Sequence, residues 1–259
     1  MSDFRCARFL NPASPELPFE EGFIWLDRYP ALALAAWQEA IRRAGTSRTI
    51  YYRRLLGSSL PSDIQEGLIE TAAGDSQLLL VAALLTPPTK FSDALNRLLL
   101  VDPLLETLSK QQLHELFYVW RLRCGPSEFS AEMERHEAWM VEGWVFVAEA
   151  YATNGEYQRA YQVAQRYLQP PKMPLTATQA PVSELRRRLF IYPQDFSAGY
   201  AAYLAAIDQM DTGKALSVLH KMTIQKDCPK YIHYLEAGIQ AQSGQWKHAW
   251  ECLVLAGIH

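Results

Sequence analysis

The chain lacks any long hydrophobic run. Among its 259 residues no window approaches the ~20 uninterrupted apolar residues that a bilayer-crossing helix needs. The longest apolar patches, LLLVAALL at 78–85 and LLLVDPLL at 98–105, are too short or too broken for that and read as faces of buried helices. No direct membrane insertion is expected. The opening stretch MSDFRCARFLNPASPELPFEEGF has no apolar core after its first charges, so no secretory signal is expected in it and a cytoplasmic location is the expectation. Cysteine is sparse: the residues at 6, 124, 228 and 252 make no C-x-x-C pair and suit a reducing compartment, where they serve as small hydrophobes. An excess of one charge is also missing. A net charge of −3 and a pI near 6.1 leave no global basic surface, which argues against nucleic acid as a partner.

Catalytic signatures are absent as well. There is no G-x-G-x-x-G, no G-x-x-x-x-G-K-S/T and no G-x-S-x-G. His114-Glu115 and His136-Glu137 each begin an H-E-x-x-H pattern, but Tyr118 and Met140 stand where the second zinc ligand belongs. His220, His233 and His248 fall on separate predicted helices near Cys228 and Cys252 without ligand spacing. Acidic pairs such as Glu20-Glu21, Glu132/Glu134 and Asp208/Asp211 read as caps and solvated faces. The expectation is a non-enzyme with no metal and no cofactor.

What is present is helical periodicity. Apolar residues recur at three- and four-residue steps, in segments of ten to sixteen residues ended by Pro, Gly or Asp-rich breaks. The pattern predicts helices near 30–44, 62–73, 76–85, 90–101, 109–123, 127–138, 141–153, 157–168, 182–190, 195–209, 213–223, 229–242 and 245–256. Strand signals are almost absent. Short links imply antiparallel neighbours, so the expected fold is all-α, an α-α superhelix of helical hairpins.

Spacing adds a repeat. Trp144, Ala148 and Tyr151 form a large-small-large stripe on one helix face, Gly155 ends that helix, and Ala160 and Ala164 offer a small face on the next. The stripe is expected to be core, with a cost of about 3–5 kcal/mol for Trp144→Ala. In the last hairpin Gly244, Trp246, Ala249 and Leu253 repeat the offsets of Gly155, Tyr157, Ala160 and Ala164. Ala215, with Leu219 four residues on, lies 34 residues before Ala249, and Met210 stands where the glycine belongs. Ala160 precedes Ala215 by 55 residues; the excess over 34 is accounted for by the proline-rich QPPKMPLTATQAP at 169–181 and the short helix SELRRRLFI.

This pattern resembles the tetratricopeptide repeat (TPR), over roughly residues 141–257 and, through Ala33, Trp37 and Ala40, over a fragment at 30–44. The division it implies is 1–140, irregular hairpins, and 141–259, TPR-like repeats with the insertion at 169–181. In that family ligands usually touch the first helix of each repeat. The corresponding positions here include Glu142, Glu149, Tyr200, Leu204, Tyr231 and Tyr234. The family's Lys/Asn clamp for C-terminal carboxylates is missing, so the resemblance implies an apolar or aromatic peptide segment as partner. Arg186 and Arg187, just after the insertion, read as a solvated face or as a contact for an acidic or phosphorylated partner. The leading expectation is an interaction scaffold binding a protein or peptide. Two rivals stand beside it: a soluble accessory domain of a bacterial O-antigen ligase or polymerase-like machine, which the hairpin texture loosely resembles, and an enzyme built on an α-α superhelix.

Overall fold

The computed structural model describes residues 6–7, 10–173, 176 and 178–257, and the protein is all-α. Three residues of the proline-rich insertion, 174, 175 and 177, lie outside the described residues. The helices are α1 (Glu16–Trp25), α2 (Pro30–Arg43), α3 (Arg48–Leu56), α4 (Ser62–Thr71), α5 (Ser76–Leu85), α6 (Pro88–Val101), α7 (Lys110–Cys124) and α8 (Pro126–Glu134). They continue with α9 (Glu137–Thr153), α10 (Tyr157–Tyr167), α11 (Val182–Ile191), α12 (Phe196–Asp208), α13 (Thr212–Thr223), α14 (Lys230–Gln242) and α15 (Trp246–Gly257). The chain divides into two compact units after Arg123, so residues 124–140 fall in the C-terminal one.

The N-terminal unit is built around two features. In α2, Pro30 starts the helix and Ala33, Ala36, Trp37, Ala40 and Ile41 make a buried stripe at helical spacing. Trp37 is fully buried and donates its indole N–H to the Phe19 carbonyl of α1 at 3.0 Å. The crossing is close because Gly22 has no side chain: a Cβ there would lie 2.2 Å from the indole nitrogen. The second feature is α5, buried over the whole run Leu78 to Leu84. Asp75 caps its start by accepting from the Gln77 and Leu78 amides. At its other end Arg123 donates to the Ala83 and Leu84 carbonyls, each at 2.9 Å, and lies over the Phe91 ring.

Two helices here escape the periodicity reading. The α1 sequence ELPFEEGFIW contains Pro18 and Gly22, normally breakers, yet the proline sits in the first turn and the glycine is a packing contact. In α3, RTIYYRRLL, arginines interrupt the apolar pattern while Tyr51, Tyr52, Leu55 and Leu56 are buried. A third departure is at 127–138, where the helix ends at Glu134 and α9 starts at Glu137, with His136 extended between them.

In the C-terminal unit three hairpins share one turn chemistry. Gly155, Met210 and Gly244 have φ of 81, 54 and 74°. The residue after each donates five positions back: Glu156 to Tyr151, Asp211 to Ala206 and Gln245 to Gln240, at 2.9, 3.0 and 2.9 Å. This is the Schellman closure of a helix end, which needs a left-handed residue. Five residues past each turn, Ala160, Ala215 and Ala249 are all fully buried. Met210 is 91% exposed, so its side chain packs on nothing and its backbone carries a Cβ clash that glycine avoids. Met210→Gly is expected to raise stability by about 1 kcal/mol, read as an upward shift of the urea midpoint with unchanged slope. The stripe around Trp144 is only partly core: Ala148 and Tyr151 are buried, Trp144 is half-buried, and Trp139, five residues earlier, is buried.

The hairpins do not stack in chain order. α8 packs on α9 and α9 on α10, but α10 packs next on α15, the last helix, and neither α11 nor α12 packs extensively on it. From α15 the stack runs back through α14, α13 and α12 to α11. Tyr161 of α10 meets the Trp246 ring of α15 at 5.9 Å. Segment 168–181 therefore carries the chain past two hairpin layers to the far end. At about 3.3 Å per residue its reach of roughly 45 Å is ample for layers about 10 Å apart.

Candidate functional site

A four-ring aromatic assembly lies in the C-terminal unit. Tyr200 and Tyr203, three residues apart, share a face of α12, and Tyr231 and Tyr234 share a face of α14. Asp195 starts α12 by accepting from the Ala198 amide at 3.0 Å, and Pro229 precedes α14, so the local sequence sets where both helices begin. The rings form a ladder. Tyr200 lies near-parallel to Tyr203 at 6.1 Å and edge-on to Tyr231 at 6.3 Å, and Tyr231 lies near-parallel to Tyr234 at 6.5 Å. The offset and edge-on geometries are those that aromatic quadrupoles favour. Burial raises the pKa of Tyr203, Tyr231 and Tyr161, with neighbouring phenols adding to each, so the hydroxyls stay protonated donors at neutral pH.

The structure thus brings Tyr200, Tyr231 and Tyr234 together. Tyr200 is buried, whereas Tyr231 and Tyr234 are half-buried and present part of each ring to solvent. Leu204, half-buried, is one turn beyond Tyr200 on α12. Glu142 and Glu149 sit on α9, both half-buried. Arg186 and Arg187 are exposed on α11, and Arg187 is held by the Glu184 carboxylate at 3.0 Å. The arginines Arg187 and Arg188 lower the Glu184 pKa in return. Tyr203 is a ladder member that repeat positions did not point to. Its spacing of three from Tyr200 was the available signal.

A second feature is a groove of about 370 Å³ where α13, α14 and α15 meet, lined among others by His220, His233, Glu236, His248 and Cys252. The three histidines on separate helices thus converge. At its base Glu236 is a buried carboxylate, 4% exposed, with His220 Nδ1 at 3.3 Å. Burial pushes the Cys252 thiol up to about 12, with Glu236 adding to it, so Cys252 is protonated at neutral pH. Burial lowers the His233 pKa, with Glu236 opposing, which keeps that imidazole neutral. Among the described residues no three His, Cys, Asp or Glu side chains are arranged to hold a metal ion. The sequence signal for Glu236 was its place in the apolar stripe of α14, between Ile232 and Ile239.

No helix among the described residues is long and apolar enough to cross a membrane. Compared with known protein families and with curated proteins, the chain matches no family model and no curated protein.

Proposed function

We propose that this protein is a non-catalytic, TPR-like interaction scaffold whose tyrosine ladder captures an apolar or aromatic peptide segment of a protein partner. The observation that carries the reading is the ladder itself. Four phenol rings bridge α12 and α14, with Tyr231 and Tyr234 half-exposed. Half-exposed tyrosines offer a large rigid apolar contact with a polar tip and lose little side-chain entropy on binding, which is why they dominate interface hot spots. Ring positions already held by neighbouring rings keep that entropic cost low.

The test is affinity capture from source-cell lysate with mass spectrometry, comparing the native chain with a Tyr231→Ala/Tyr234→Ala variant. Tyr200 is left in place because it is buried. The variant is expected to lose the captured partner while its helical circular dichroism is unchanged. A partner retained at the native level, with the variant folded, rules the ladder out.

A further inference from the structure

We infer that the N-terminal unit carries a separate binding groove for a peptide segment bearing an acidic side chain among apolar ones. The groove has a volume of about 650 Å³ and is formed between α1, α3, α5 and α7. Its floor is apolar: Phe19 and Leu80 are almost fully buried there, and the exposed rings and chains of Phe23 and Ile50 stand at its rim. Arg53 and Arg54 of α3 project from the same wall, both exposed.

The two arginines differ from the cations around them. Arg48, on the same helix, is paired with Asp75 at 2.8 Å, and Arg42 and Arg43 both hold Glu39. Among the described residues neither Arg53 nor Arg54 reaches a carboxylate at ion-pair distance. Arg54 instead lies 4.5 Å over the Phe19 ring. Glu16, the acid on which Arg54 acts through space, is already engaged by the hydroxyls of Tyr51 and Ser14. Two unpaired guanidiniums beside an apolar floor form a fork for a carboxylate carried on a hydrophobic body.

The shape selects a chain segment. The groove is partly open to solvent rather than enclosed, so it leaves part of a ligand uncovered, whereas small-molecule sites bury most of theirs. Glu115 on the α7 wall faces the same space and gives the groove a polarity. It favours an acidic residue toward α3 and disfavours a uniformly anionic occupant. The site lies in the other unit from the tyrosine ladder and does not depend on it.

Fluorescence anisotropy on the full chain tests this, with a labelled dodecapeptide of glutamate, leucine and phenylalanine against the same peptide with glutamine for glutamate. The glutamate peptide is expected to bind about tenfold more tightly, and Arg53→Gln/Arg54→Gln to remove that advantage. Arg53→Gln alone, at an exposed position, is expected to act in the same direction and serves if the double variant unfolds. Tyr231→Ala/Tyr234→Ala is expected to leave this binding unchanged, which separates failure of this site from failure of the ladder. Equal affinity for the two peptides, no binding of either, or full binding by the folded arginine variants overturns the proposal.

Discussion

Ending the chain at Gln242 is expected to unfold residues 124–242 as a whole. In a solenoid stacked in chain order, removing the last helix trims an end and leaves the other repeats folded, because each repeat contacts only its neighbours. Here α15 is an interior layer, packed against α10 on one side and α14 on the other. Its removal takes away Ala249, Trp250, Leu253 and Ala256, all buried, and uncovers Tyr161 on α10. Truncating one such large side chain costs about 2–5 kcal/mol, and losing the helix removes several at once. The sum is comparable to the ~5–15 kcal/mol by which a domain is stable. Limited proteolysis and a thermal melt followed by circular dichroism read the result. A truncated chain that still protects α8 to α14 and melts cooperatively near the native temperature overturns the packing of α15 between α10 and α14.

Trp37→Ala is expected to destabilise the N-terminal unit by about 3–5 kcal/mol, the range for deleting a fully buried aromatic. Two losses combine. The indole is 0% exposed and fits against the bare backbone of Gly22, and its N–H is the partner of the Phe19 carbonyl. The variant leaves a cavity and a buried unpaired acceptor. Trp144→Ala, at a half-buried position, is expected to cost about half as much, since less apolar area leaves water there. Urea titrations monitored by far-ultraviolet dichroism compare the two. Equal costs, or a Trp37 effect below about 1 kcal/mol, would mean that α1 is not docked through this ring.

Much of the fold was legible in the residues. The helical segments from 30 to 44 and from 62 onward follow from apolar spacing, and the turns at Gly155 and Gly244 from the glycine a Schellman closure requires. Where periodicity misled, tertiary contacts explain why. Gly22 reads as a breaker until Trp37 is placed against it, and α3 reads as polar until its tyrosines are placed in the core. A large residue in a helical stripe reads as core, yet Trp144 is only half-buried, and its burial depends on packing that the stripe does not encode. The site was legible in part. Tyr200, Tyr231 and Tyr234 could be named from repeat positions, whereas the share of each ring left in water, the membership of Tyr203 and the burial of Glu236 depend on which helices become neighbours.

Taken alone, the sequence determined that this protein is helical, where most of its helices lie and where three hairpins turn, because those features rest on contacts within a few residues. Which hairpin lies beside which was decided only in three dimensions. The small faces at Ala160, Ala215 and Ala249 are chemically alike, so they do not by themselves distinguish one neighbour from another. Segment 168–181 is long enough to permit either order. The choice is made by the summed fit of side chains far apart in the chain, such as Tyr161 against Trp246, and no local pattern encodes that fit.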